Sequence, residues 1–226
     1  FIFLGEHYRT DLGLVFPPEE KVQSLLDRIN TFYLVPSVPA RQFLQLIGFL
    51  ISLMDVVPLG RLHLRPFQWY LKEFWHPASQ LWDAPIPVLP RLFPHFLWWS
   101  QRSNLLRGQP LVLPSPSLTL YTDASMTGWG GFLEGKTVSG QWSASNLQDH
   151  INVLEMKAVL LSVSHFLDLI QGQSLLIASD NTTVVAYLQN QGGTHSHSLY
   201  LLAKEILLLC DSQNILVSVR HVPGDQ

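Results

Sequence analysis

Two apolar segments, "SLTLYTD" (117–123) and "SLLIASD" (174–180), each run into an aspartate, with a long helical pattern between them. No other feature constrains the fold as strongly. A carboxylate at the end of a buried strand is costly unless something pairs it. After the first segment, "GWGGFLEG" and "KTVSGQWS" read as two more strands joined by tight turns, an antiparallel meander. The third strand of a meander runs parallel to the first. The helix "DHINVLEMKAVLLSVSHFLDLI", with Asp149 as its predicted N-cap, can therefore return the chain through a right-handed crossover. The second segment then lies parallel beside the first. Adjacent strands are ~4.8 Å apart, so Asp123 and Asp180 become neighbours at the carboxyl ends, where open α/β sheets place their sites. On the crossover helix, Glu155 shares a stripe with Ile151, Ala158, Val159, Ser162 and Phe166, which turns it to the core or the sheet's rim.

The rest of this region continues the pattern. "NTTVVAYLQNQGG" predicts a helix capped by Asn181 and ended by Gly192 and Gly193. A helix over "SHSLYLLAKEILLLCDSQN" and a last strand in "ILVSVRHVPG" complete the order βββαβααβ, an α/β domain with a mixed sheet. Three crowded carboxylates cannot all stay ionised without a counter-charge. No Lys or Arg occupies a motif position to supply one, so a divalent metal is the natural partner. All-oxygen ligands favour Mg²⁺ or Mn²⁺ over zinc. Two such ions ~3.5–4 Å apart serve in-line phosphodiester displacement. Taken singly, each acid is equally a helix cap or a strand end in water.

Charge is unevenly spread. Residues 57–107 carry six basic and two acidic side chains, and residues 117–226 carry four and nine. A basic stretch beside an acidic pocket suits a protein that holds phosphates with one surface and metal ions with another. Upstream, "FIFLGEHYRTDLGLVFPP" reads as two short strands, then come a capped helix "PEEKVQSLLDRINTF" and a second helix in "PARQFLQLIGFLISLMDVV". Opening on bare strand residues suggests a piece of a longer polypeptide. Residues 58–116, rich in Pro and aromatics, predict only short helices and a connecting role. Cys210 stands alone, so no disulfide framework is expected and a reducing, intracellular location (cytoplasmic or nuclear) is. The most apolar stretch is interrupted by Gln45, Asp55 and Pro58 and is too short for a membrane span.

"YTDAS", "GWGG", "NVLEMKAV", "ASDNTTVVAYLQNQGG" and "VRHVPG" together resemble the ribonuclease H domain of retroelement polymerases, most closely that of tyrosine-recombinase (DIRS-like) retrotransposons. The resemblance covers residues 117–226. Residues 1–57 look like the tail of a reverse-transcriptase palm followed by thumb-like helices, and 58–116 like a connection. The resemblance implies a five-stranded mixed sheet flanked by helices, and Mg²⁺-dependent endonucleolytic cleavage of the RNA strand of an RNA–DNA hybrid. Two Mg²⁺ ions would be held by Asp123, Glu155 and Asp180, Mn²⁺ could substitute, and His221 would assist from a loop. The remainder of the polymerase is the implied partner. Polymerase activity is not expected, because the palm's metal-binding aspartates would lie upstream. The family's fourth acid follows the "HVPG" loop. The chain stops at Gln226 before it, so an impaired nuclease is expected, with Asp225 a possible stand-in.

Asn181 could reach a 2′-hydroxyl, although capping alone accounts for it. Arg102 and Arg107, with Arg61, Arg65, Lys72 and Arg91, are candidates for gripping a nucleic-acid backbone. His195 and His197 read as solvated loop, Trp98 and Trp99 as packing residues, and Trp129 as core-facing sheet. Two other functions fit the same residues: a catalytically incomplete hybrid-binding module, and a DNA nuclease of resolvase or integrase type.

Overall fold

The structure is a computed structural model that describes residues 1–146 and 148–224. The chain divides into two compact units, Phe1–Leu113 and Pro114–Gln226.

The first unit is mainly helical. Strands β1 (Ile2–Phe3), β2 (Glu6–Arg9) and β3 (Leu14–Phe16) open it, one strand more than the sequence suggests. Helix α1 (Glu19–Tyr33), strand β4 (Ser37–Pro39) and helices α2 (Ala40–Ile51) and α3 (Gly60–Phe74) follow. Strand β5 (Pro85–Pro87), helices α4 (Phe93–Ser100) and α5 (Arg102–Leu105), and strand β6 (Gln109–Pro110) complete it. The fifteen-residue α3 contradicts the expectation of short helices, because Pro66 lies inside it. An internal proline costs ~3 kcal/mol or more. Burial of Leu62, Leu64, Phe67, Tyr70 and Leu71 along the same helix offsets that. The core is aromatic: Phe32, Phe43, Phe67, Phe96 and Trp99 are almost wholly enclosed. The Trp99 indole donates to the His63 carbonyl at 3.1 Å, and Trp98 stacks on the His63 ring. Both tryptophans therefore have packing roles.

The second unit is built on five strands: β7 (Leu118–Ala124), β8 (Gly128–Leu133), β9 (Lys136–Gln141), β10 (Ser174–Ser179) and β11 (Leu216–His221). Their order is β11-β10-β7-β8-β9. The meander β7-β8-β9 is antiparallel, and β10 lies parallel to both β7 and β11. Helices α6 (Ile151–His165), α7 (Leu167–Ile170), α8 (Thr182–Gln189) and α9 (His197–Ser212) complete it. This is the ribonuclease H-like α/β architecture, with the crossover connection placed as the acid-ended segments require.

Helix α6 packs on β7 and β8 and also touches α8 and α9, which is why it is apolar on most sides. The single long helix expected over 149–170 breaks at Phe166, which buries its own ring and lets α7 bury Ile170. Asp149 is not the N-cap. His150 holds that position and its Nδ1 accepts from the Asn152 amide at 3.2 Å. The Asp149 carboxylate instead lies 2.6 Å from Lys157 Nζ, which also donates to Asn146 Oδ1 at 2.6 Å. A full positive charge two turns along the helix outcompetes an amide hydrogen bond for that carboxylate.

Candidate metal centre

The register of two strands brings the aspartates level. Ala178 on β10 faces Tyr121 on β7, so Asp180 and Asp123, each two residues further along a parallel strand, sit side by side at the sheet's rim. Residues two apart share a face of a strand. Asp123 therefore lies on the exposed face with Tyr121, while Thr122 between them is buried.

Glu155 arrives from α6, and how close that helix can come is decided by a glycine. A Cβ on Gly131 would press against Ser162 Oγ and stand 2.8 Å from Ser162 Cβ. The third glycine of "GWGG" is thus the clearance that lets α6 lie against β8. Trp129 is half-buried rather than core. Its indole covers Gly140, where a Cβ would come within 2.7 Å of Nε1.

Asp123, Glu155 and Asp180 each offer a carboxylate oxygen, and these oxygens lie within 4.8 Å of one another. The aspartates are exposed, whereas Glu155 is only 5% exposed. Glu155 Oε2 is buried and has no hydrogen-bond partner among the described residues. Burial pushes its carboxyl up to about 7, the negative charges of Asp123 and Asp180 push the same way, and the Ala124 N–H opposes them. A half-enclosed, all-oxygen cluster with one orphaned carboxylate oxygen has the donor set of a hard divalent cation.

His221 ends β11 beside the cluster, with Nε2 3.0 Å from the Asp180 carbonyl oxygen. Asn181 caps α8: its Oδ1 accepts from the amides of Thr183 and Val184, and its Nδ2 donates to Asn152 Oδ1. Those bonds occupy its oxygen and one of its two amide N–H groups. Arg102 and Arg107 belong to the first unit. Arg102 pairs with Glu19 at 2.5 Å, Arg91 with Glu73 at 2.7 Å, and Arg61 with Asp55 at 3.2 Å. Exposed ion pairs of this kind are weak, so they compete only feebly with a phosphate. His195 and His197 are exposed. Asp225 lies outside the described residues. Sequence reasoning missed the Ala124 amide, the clearance at Gly131 and the proximity of Gly224 to Asp180. Only the runs of glycine signalled any of these.

No protein-family model and no curated protein matches the chain. Among solved structures, LC11-RNase H1 in complex with an RNA/DNA hybrid is 14% identical with a TM-score of 0.42, covering 48% of this chain and 87% of its own. RNase H1 from the halophilic archaeon Halobacterium salinarum is 17% identical with a TM-score of 0.39, covering 48% and 86%. The foamy viral protease-reverse transcriptase in complex with double-stranded DNA is 11% identical with a TM-score of 0.38. That overlap takes in 99% of this chain, which spans 45% of the viral one. The ribonuclease H-like fold of the second unit rests on its own sheet order and strand directions.

Proposed function

We propose that the chain hydrolyses the RNA strand of RNA–DNA hybrids, and that Asp123, Glu155 and Asp180 hold the Mg²⁺ ions this requires, with Mn²⁺ able to substitute. The observation that carries this reading is the convergence of the three carboxylates at one sheet rim, one of them buried without a partner. A divalent cation held there supplies Lewis-acid polarisation of a phosphoryl oxygen and a more acidic bound water. The protein's own contributions differ by residue. Glu155 projects from α6 and is almost wholly buried, so it provides the enclosed side of the cluster. Asp123 and Asp180 face solvent, where a polymeric substrate can reach them. His221 is held against Asp180 and assists at the edge of the site.

The order of the motifs supports a place within a retroelement reverse transcriptase of DIRS-like type. Residues 1–57 would be the palm tail and thumb, and 58–116 the connection. The other parts of that polymerase, and the hybrid itself, are the partners in this reading. None of the helices among the described residues is long and apolar enough to cross a membrane.

A panel of strand-labelled duplexes tests the proposal. Incubated with Mg²⁺, the protein should cut the RNA strand of the hybrid, leave 3′-hydroxyl ends, and spare both DNA strands. Cutting of duplex or branched DNA in preference to the hybrid would replace this reading with that of a DNA nuclease. Hybrid binding without any hydrolysis would make it a binding module.

A further inference from the structure

The turn after β11 folds back on Asp180. His221 Nε2 lies 3.0 Å from the Asp180 carbonyl oxygen, and because a carbonyl can only accept, that ring nitrogen is the donor. The Val222 amide donates to the Ser179 carbonyl at 3.0 Å. Two residues on, Gly224 comes so near Asp180 that a Cβ placed there would stand 2.8 Å from Asp180 Oδ2. The next nearest atoms, at 3.7 and 3.8 Å, are Cγ and Cβ of the same aspartate. Gly224 is not among the glycines with positive φ, so its backbone conformation is open to any L-residue. What a side chain would meet here is the Asp180 carboxylate.

We infer that Gly224 is a positioning residue for Asp180, leaving clear the space that this carboxylate occupies in the acid cluster. The inference rests on reading that cluster as a metal site. A side chain at 224 must displace something. The turn is tethered by the His221 and Val222 hydrogen bonds and by a strand paired with β10 as far as Ser179 and His221. The Asp180 carboxylate is exposed and free to rotate, so it yields first. The fold survives while a ligand moves off its position. His221 then serves the site by holding the turn on the Asp180 backbone, which makes it a positioning residue as well.

The experiment titrates Mn²⁺ into the full chain, by calorimetry and by the electron paramagnetic resonance of free Mn²⁺. It uses wild type, Gly224→Ala, Asp180→Asn and the double variant, with thermal melts of each in EDTA. Gly224→Ala should bind Mn²⁺ ~10- to 100-fold more weakly, as when a group that orients a metal ligand is lost. Its melt in EDTA should be unchanged. In the Asp180→Asn background the same substitution should add almost nothing, because its effect passes through that carboxylate. Undiminished Mn²⁺ affinity in Gly224→Ala overturns the inference and leaves the metal reading intact. Full additivity in the double variant, or loss of the fold in place of affinity, overturns it too. A wild-type chain that binds no Mn²⁺ removes the metal reading and this inference together.

Discussion

Replacing Glu155 by glutamine should make the metal-free protein more stable at alkaline pH and abolish its stabilisation by metal. Glu155 is 5% exposed, and its carboxyl is pushed from 4.5 up to about 7 by burial and by its two acidic neighbours. Between those values the folded chain keeps a proton that the unfolded chain has released. The folded state therefore binds more protons, and stability falls as pH rises through this window, with no further change above about 7. Each pH unit is worth about 1.4 kcal/mol, so the buried carboxylate destabilises the metal-free fold by on the order of 3 kcal/mol at pH 8. Glutamine keeps the shape and stays neutral, and its amide can donate to an adjacent aspartate. Urea titrations in EDTA at pH 5 and pH 8 measure the effect, with hydrogen exchange in α6 and β10 reporting unfolding of the second unit by itself. Glu155→Gln should gain most of that ~3 kcal/mol at pH 8 and little at pH 5. Adding Mg²⁺ should stabilise wild type and leave the variant where it was. Equal pH slopes for the two proteins would refute the account of Glu155 as a buried carboxylate waiting for a cation.

Gly131→Ala should cost ~1–3 kcal/mol, the usual range for overpacking, because its Cβ meets Ser162 beneath the sheet. Thermal melts check this, and adding Ser162→Ala should restore part of the loss by removing the nearest oxygen. Neutralising Arg102 and Arg107 should weaken hybrid binding and lower the slope of log K against log salt by about one for each true phosphate contact. Because Arg102 already pairs with Glu19, Glu19→Gln should strengthen binding if that arginine reaches the backbone. Unchanged slopes in filter binding would make both arginines structural.

What could be read from the sequence was what depends on short-range periodicity and strand parity. A three-strand meander followed by a crossover helix leaves one economical place for "SLLIASD", so the pairing of β7 with β10, and with it the meeting of Asp123 and Asp180, follows from chain order. The stripe holding Glu155 and the Asn181 cap are local patterns of the same kind. The rest depends on contacts that spacing does not encode. Asp149 left the cap to His150 while its carboxylate paired with a lysine eight residues on, and α3 ran through Pro66 because its buried face outweighed one missing hydrogen bond. Arg102 found Glu19 across 83 residues of chain. The closeness of Gly224 to Asp180 exists only once β11 is docked beside β10.

The most direct measurement is the initial rate at which the protein cuts the RNA strand of a labelled hybrid in Mg²⁺, compared between wild type and Asp123→Asn. Asp123 is exposed, so its replacement should leave the circular dichroism spectrum and melting temperature in EDTA unchanged. The rate should fall by at least ~10²-fold, the scale on which removing one electrostatic element of an active site acts. A variant that cuts hybrid RNA at the wild-type rate would contradict the assignment of the three acids as the catalytic centre.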